Sequence, residues 1–203
     1  LVDKLKDLCE RIEVAGSLRR RRETVGDMDI IAVEKKGGGL ADRFASMDDV
    51  SKVVSKGKKK TSIKLHGGIQ VDLRMVEEGY FGAALCYFTG SKQHNIELRT
   101  MARKRDLKLS EYGLFKGNER LAGETEKEVY EKLDLDWIPP EMRENQGEIE
   151  LAEKGKLPTL VERKDILADL QMHSDYSDGK NTMREMAEAA EEIGHRFIAM
   201  IDH

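Results

Sequence analysis

The chain has 203 residues, 39% of them apolar and 36% charged, with 35 Lys and Arg against 39 Asp and Glu. That balance excludes a disordered chain, and no apolar run approaches the ~18 residues a membrane helix needs. Cys9 and Cys86 form no C-x-x-C pattern, which excludes a disulfide framework and a cysteine zinc site. The length allows one good core, or one domain and part of another. Position 1 is Leu and no signal-like segment follows it, so the chain is expected to be an excised piece. Residues 1–110 carry 23 Lys and Arg against 16 Asp and Glu, whereas residues 111–203 carry 12 against 23. A positive half can hold a polyanion while the chain as a whole stays acidic.

Leu1, Leu5, Leu8 and Ile12 recur at helical spacing and predict the end of an amphipathic helix over 1–11. Glu13 to Ala15 reads as a short strand and Gly16-Ser17 as a turn. Arg19 to Arg22 follow, a run that by itself suits a solvated surface. Met28 to Val33 is the next strand, and Gly37-Gly38-Gly39 breaks it. Leu40 to Met47 predicts a short helix. Segments 50–54, 61–66 and 69–76 predict strands, the last two joined by a Gly67-Gly68 hairpin. Helices are expected over 82–88 and 91–105, with an extended piece at 107–109. Thr125 to Glu128 is a capping box that opens a helix toward Leu133, and Trp137 to Pro140 ends it. Residues 119–153 are acidic and polar, with a helix expected at 148–154, and Leu157 to Leu160 reads as a connector. A new unit begins near Asp165. It has a strand over 166–172, a turn at Ser177-Asp178-Gly179, a helix over 182–193 capped by Thr182 and Glu185, and a strand over 197–201. A strand–helix–strand unit cannot bury both its faces alone, so 165–203 is expected to open a larger domain.

Asp27 and Asp29 are spaced to share one strand face, with Met28 and Ile30 turned into the core. Two carboxylates so close repel unless a cation neutralises them, and carboxylate oxygens suit a hard divalent ion. Asp72 interrupts an otherwise apolar strand, with Gln70 and Arg74 on its face. If that strand lies beside 28–33, three aspartates converge on a two-metal site. A lone aspartate at a strand end more often faces solvent; the doublet behind a Gly-Ser turn and an arginine run argues otherwise. Gly16 permits close phosphate approach, Ser17 can donate a hydrogen bond, and Arg20 can bind phosphate bidentately. Tyr87-Phe88 beside Gly90 can press on a sugar or base, although such aromatics are often core. Asn95 and Arg99 share a helix face. Lys56, Lys58, Lys59, Lys60 and Lys64 suit a nucleic-acid backbone rather than base readout.

Together, Gly16-Ser17-Leu18-Arg19-Arg20 and Gly26-Asp27-Met28-Asp29 resemble the nucleotidyltransferase signature of family X DNA polymerases. Val71-Asp72-Leu73-Arg74 resembles the family's third-carboxylate strand, and Tyr87-Phe88-Thr89-Gly90-Ser91 its nucleotide-binding turn between palm and thumb. The resemblance implies an α+β (mixed) fold: a nucleotidyltransferase palm with a mixed sheet over 1–80, a small α/β thumb over 81–145, and a linker over 146–164. Asp27, Asp29 and Asp72 would bind two Mg²⁺ or Mn²⁺ ions, and Asp72 would help activate the primer 3′-hydroxyl. Gly16, Ser17, Arg20 and Gly26 would hold the dNTP phosphates. Tyr87, Phe88 and Gly90 would meet the sugar and exclude a 2′-hydroxyl, and Asn95 would reach the base. Arg99, Lys58, Lys60, Arg74 and Tyr112 would contact DNA. Val25 and Lys92 depart from animal members and fit the bacterial and archaeal branch.

Asp169 to Ser174, Ser177-Asp178-Gly179 and Asp202-His203 resemble the opening of a PHP phosphoesterase (β/α) barrel, here over 165–203. His173, Asp178 and His203 would be ligands to Mn²⁺ or Zn²⁺. Gln171 stands where that family's first histidine is usual, and the unit is expected to be incompetent alone. The implied function is template-directed gap filling in DNA repair by a cytoplasmic bacterial or archaeal monomer. Its partners would be gapped or primed DNA and dNTP, with no membrane. A nucleotidyltransferase with a small-molecule, RNA or protein acceptor, and a non-catalytic DNA-binding piece, stand as alternatives.

Overall fold

The predicted N-terminal helix does not form. In the computed structural model, which describes residues 1–203, two 3₁₀ turns, Val2–Lys4 and Lys6–Leu8, lead directly into strand β1, Cys9–Ala15. Consecutive 3₁₀ turns satisfy the same leucine spacing and bury Leu5, while β-branched Ile12 and Val14 favour the strand that comes next. Gly16–Arg19 is a four-residue helical turn, α1, where a plain turn is expected. Strand β2 is Asp27–Glu34, helix α2 Leu40–Ala45, and strands β3, β4 and β5 are Val50–Lys56, Lys60–Leu65 and Gln70–Met75.

These strands form one mixed sheet in the order β1-β2-β5-β4-β3, parallel only between β2 and β5. The two-residue period splits β2 and β5 between two cores. Ile30, Ala32, Val71 and Leu73 face a core closed by Leu40 and Phe44 of α2. Ile31 and Val33 face the opposite core, closed by helix α3, Phe81–Thr89, through Phe81, Ala84 and Leu85. Helix α3 uses its other side, Ala83 and Cys86, to build a third core.

That third core is completed by Leu98 and Ala102 of helix α4 (Lys92–Lys104), by a three-stranded meander and by two further helices. The meander is β6 Lys108–Ser110, β7 Gly113–Lys116 and β8 Glu119–Ala122. Helix α5, Glu126–Glu131, carries the expected Thr125/Glu128 capping box, and helix α6 is Glu148–Glu153. Ile149 and Ala152 of α6 are buried in this core, so the expected linker over 146–164 is corrected: its first part is packed structure. The chain divides into compact units Leu1–Leu157 and Pro158–His203.

In the second unit, strand β9, Ala168–Met172, and strand β10, Phe197–Met200, pair in parallel. Helix α7, Met183–Glu192, connects them and starts from the Thr182/Glu185 capping box.

Candidate active site and metal-ligating residues

The parallel register sets Asp29 of β2 directly opposite Asp72 of β5, and Asp27 opposite Gln70. Strands in register lie about 4.8 Å apart. Asp27, Asp29 and Asp72 therefore share the sheet face that carries α3. Burial raises the Asp29 pKa; Arg74 opposes this, and the Asp27 and Asp72 carboxylates add to it. Burial also acts to raise Asp72, but hydrogen bonds from Lys60, Ser62 and Gln70 outweigh it and hold the carboxyl below its usual value.

Two cations offset these charges. Lys60 Nζ is 2.5 Å from Asp72 Oδ2, and Arg74 Nε is 3.7 Å from Asp29 Oδ1 with its guanidinium 4.0 Å over the Phe88 ring. Gln70 Nε2 donates to Asp72 Oδ1 at 3.0 Å. Buried Arg74 Nε has no hydrogen-bond partner. A donor set made only of carboxylate oxygens fits a hard divalent cation.

Gly16 abuts this cluster. Its φ is +64°, and a Cβ placed on it would lie 2.8 Å from Asp29 Oδ2, so only glycine lets α1 approach the carboxylate. Ser17 is half-buried next to it, and Gly26 lies in open space just before Asp27. The arginine run is only half solvated: Arg21 and Arg22 are exposed, whereas Arg19 and Arg20 are held by carboxylates. Arg19 donates from both terminal nitrogens to the Glu126 carboxylate, each at 2.8 Å, and Arg20 Nε donates to Glu144 Oε1 at 2.7 Å. Burial pushes Glu126 up, yet Arg19 and Arg143 pull its pKa down to about 2.

Tyr87 and Phe88 lie in the last turn of α3, Gly90 follows that helix, and Asn95 lies in the first turn of α4. The two rings meet edge-on at 5.0 Å, and Asn95 Nδ2 donates to the Tyr87 carbonyl at 2.6 Å. Ser91 caps α4 by accepting from the His94 amide. Arg99 lines a groove of about 150 Å³ with Tyr87, Arg103 and Lys108. Lys58, Lys60, Arg74 and Tyr112 instead line a separate cavity of about 640 Å³.

In the second unit, His173, Asp178 and His203 bring three ligand atoms within 4.8 Å of one another. Asp202 folds the intervening loop: it accepts from the Ser174 amide at 2.7 Å and from the Ser174 and Ser177 hydroxyls at 2.6 and 2.7 Å. Gly179 is required there, since a Cβ would lie 2.0 Å from the His173 carbonyl oxygen. His173 Nδ1 is buried without a hydrogen-bond partner, 3.3 Å from Asp178 Oδ1, which fits a metal-ligating position.

Sequence reasoning missed Glu126, Arg143, Glu144 and Glu148. The opposed charges of the two halves of the chain were their only trace. Arg143 is fully buried, donating to Glu126 Oε1 at 2.6 Å and to the Ile138 carbonyl at 2.9 Å. Glu148 accepts from the Asn145 and Gln146 amides and pairs at 2.6 Å with the buried His94 ring.

A sheet bearing this aspartate trio, joined through one helix to a small helix-and-meander body, is the architecture against which known proteins can be compared. Residues 84–144 match the model of the DNA polymerase beta thumb. The chain is 38% identical over 193 residues to the DNA polymerase/3′-5′ exonuclease PolX of Bacillus subtilis, covering 93% of this chain and 34% of that protein. It is 30% identical over 150 residues to a repair DNA polymerase X of African swine fever virus, covering 68% of this chain and 84% of the viral protein. Rat DNA polymerase lambda is 28% identical over 159 residues, 64% of this chain and 28% of that protein. The chain belongs to the family X DNA polymerases. It spans about a third of the length of its bacterial relative.

Proposed function

We propose that the first unit carries the transfer centre of a template-directed repair polymerase, which adds a deoxynucleotide to a primer 3′-hydroxyl in gapped DNA. The observation that carries this reading is the register of Asp29 opposite Asp72, with Asp27 two residues earlier on the same face. Asp27, Asp29 and Asp72 would hold two Mg²⁺ or Mn²⁺ ions. When bound, such a pair lowers the pKa of the attacking hydroxyl and neutralises the triphosphate.

The chain's own residues supply binding and orientation. Gly16 and Gly26 leave room for the phosphates, which take hydrogen bonds from Ser17 and Arg20. Lys60 helps hold the Asp72 carboxyl below its usual value, and Arg74 opposes the upward push on Asp29. Tyr87 and Phe88 pack near the sugar, the Phe88–Gly90 turn helps exclude a 2′-hydroxyl, Asn95 reaches the base, and Arg99 meets the template. Lys58, Lys60, Arg74 and Tyr112, sharing one cavity, serve the DNA backbone. The protein acts as a cytoplasmic monomer in this reading. Asp72→Ala is expected to abolish metal-dependent extension of a primer on gapped DNA while leaving thermal unfolding cooperative. Extension at the unsubstituted rate would refute the assignment, and preferential transfer to an RNA or small-molecule acceptor would favour a different nucleotidyltransferase.

The second unit we assign to the opening of a PHP phosphoesterase domain, with His173, Asp178 and His203 as Mn²⁺ or Zn²⁺ ligands. Its support is the tight clustering of those three side chains.

A further inference from the structure

All four residues of the arginine run are paired with carboxylates that follow α4 in the chain, but the pairs differ in kind. Arg21 and Arg22 are 80% and 52% exposed, with contacts of 3.1 Å to Glu141 and 3.8 Å to Glu144. Such exposed pairs contribute little. Arg20 and Glu144 are 13% and 20% exposed and meet at 2.7 Å. The Arg20 guanidinium is held at two of its three nitrogens: Nε donates to Glu144, and Nη1 donates to the Thr89 carbonyl at 2.5 Å. Nη1 also lies 3.1 Å from where a Cβ on Gly90 would be, so the group crosses the Gly90 backbone.

Glu144 is itself fixed in place. It follows Arg143, whose side chain is anchored by Glu126 and the Ile138 carbonyl, and whose own carbonyl accepts from the Ser91 amide at 2.9 Å. The segment bearing Glu144 is thus tied to the same Gly90-Ser91 turn that Arg20 crosses.

We propose that Glu144 is a positioning residue for Arg20. It locks the guanidinium edge-on and leaves Nη2 for a phosphate oxygen of the incoming nucleotide. A guanidinium has five N–H donors, so one carboxylate at Nε and one phosphate at Nη2 do not compete. An arginine already immobilised in the folded protein loses less rotamer freedom when the phosphate binds. This inference rests on the proposed role of Arg20 as a phosphate ligand.

Equilibrium binding of dATP with Mg²⁺ to the 203-residue chain, with dAMP as control, tests it. Arg20→Ala and Glu144→Ala are each expected to weaken dATP about tenfold, with dAMP little affected. The double variant should bind no more weakly than Arg20→Ala alone. Glu144→Gln, which keeps the shape and one oxygen acceptor for Nε, should retain most of the affinity and the thermal stability. Unchanged or tighter dATP binding in Glu144→Ala, or multiplying effects in the double variant, would overturn the inference while leaving the nucleotide site standing. Arg20→Ala that binds dATP normally, or an unsubstituted chain that takes up no dATP, would instead overturn the reading of the site, and this inference with it.

Discussion

An alanine at Gly16 would meet two obstacles at once, a left-handed backbone at φ +64° and the Asp29 carboxylate 2.8 Å from its Cβ. Gly16→Ala is therefore expected to cost about 1–3 kcal/mol of stability. It should also weaken Mn²⁺ uptake, because Asp29 has to move. Thermal unfolding and a Mn²⁺ titration check this, and a variant indistinguishable from the parent would contradict the close approach. At this scale the aspartates were legible for a physical reason. The two-residue period places Asp27 and Asp29 together, and Asp72 stands out by breaking an apolar strand. Gln70 and Arg74 were legible on the same face, but the third partner, Lys60, was not. Lys60 is the Cα partner of Arg74, and it reaches Asp72 only through the β4–β5 register, which the residues of one strand do not encode.

Elements followed their local signals where capping and periodicity agreed. The Thr125/Glu128 and Thr182/Glu185 boxes both cap helices as expected. The β7–β8 hairpin escaped notice because Lys116, Glu119 and Arg120 make its strands look like a polar loop. The first residue of the arginine run was misleading in the same way, since burial of Arg19 against Glu126 makes a fixed joint between α1 and α5, while Arg21 and Arg22 stay exposed. Glu126 titrates near 2 in the folded chain, against an ordinary value of 4.5. As pH falls, the unfolded chain takes up this proton first. The stabilisation is therefore complete above about pH 4.5 and is lost as pH falls toward 2. Urea unfolding between pH 6 and 2.5 should show a steep loss for the parent. Glu126→Gln should be about 3 kcal/mol less stable at pH 6 and flatter below pH 4.5. Parallel curves would mean that Glu126 titrates alike in the folded and unfolded chain, and would contradict its lowered pKa.

For the whole molecule, the two units divide between Leu157 and Pro158, inside the stretch expected to link them, and α6 supplies Ile149 and Ala152 to the first unit. Charge asymmetry along the chain was visible at once, but part of it is spent internally, acidic residues after α4 neutralising the arginines after β1. Two units with separate carboxylate and histidine clusters should bind metal independently. His173→Ala is expected to remove Zn²⁺ binding by the second unit and to leave Mn²⁺ binding by the first unchanged; loss of both together would contradict the division.

Asp27, Asp29 and Asp72 have to act as one ion-binding group for the transfer centre to exist. Calorimetric titration of Mn²⁺ with dATP present, comparing the parent chain with Asp72→Asn, reads this without an intermediate step. At least roughly tenfold weaker binding of one Mn²⁺ is expected in the variant, since a carboxylate ligand becomes a neutral amide. Identical isotherms for the two proteins would show that Asp72 holds no cation.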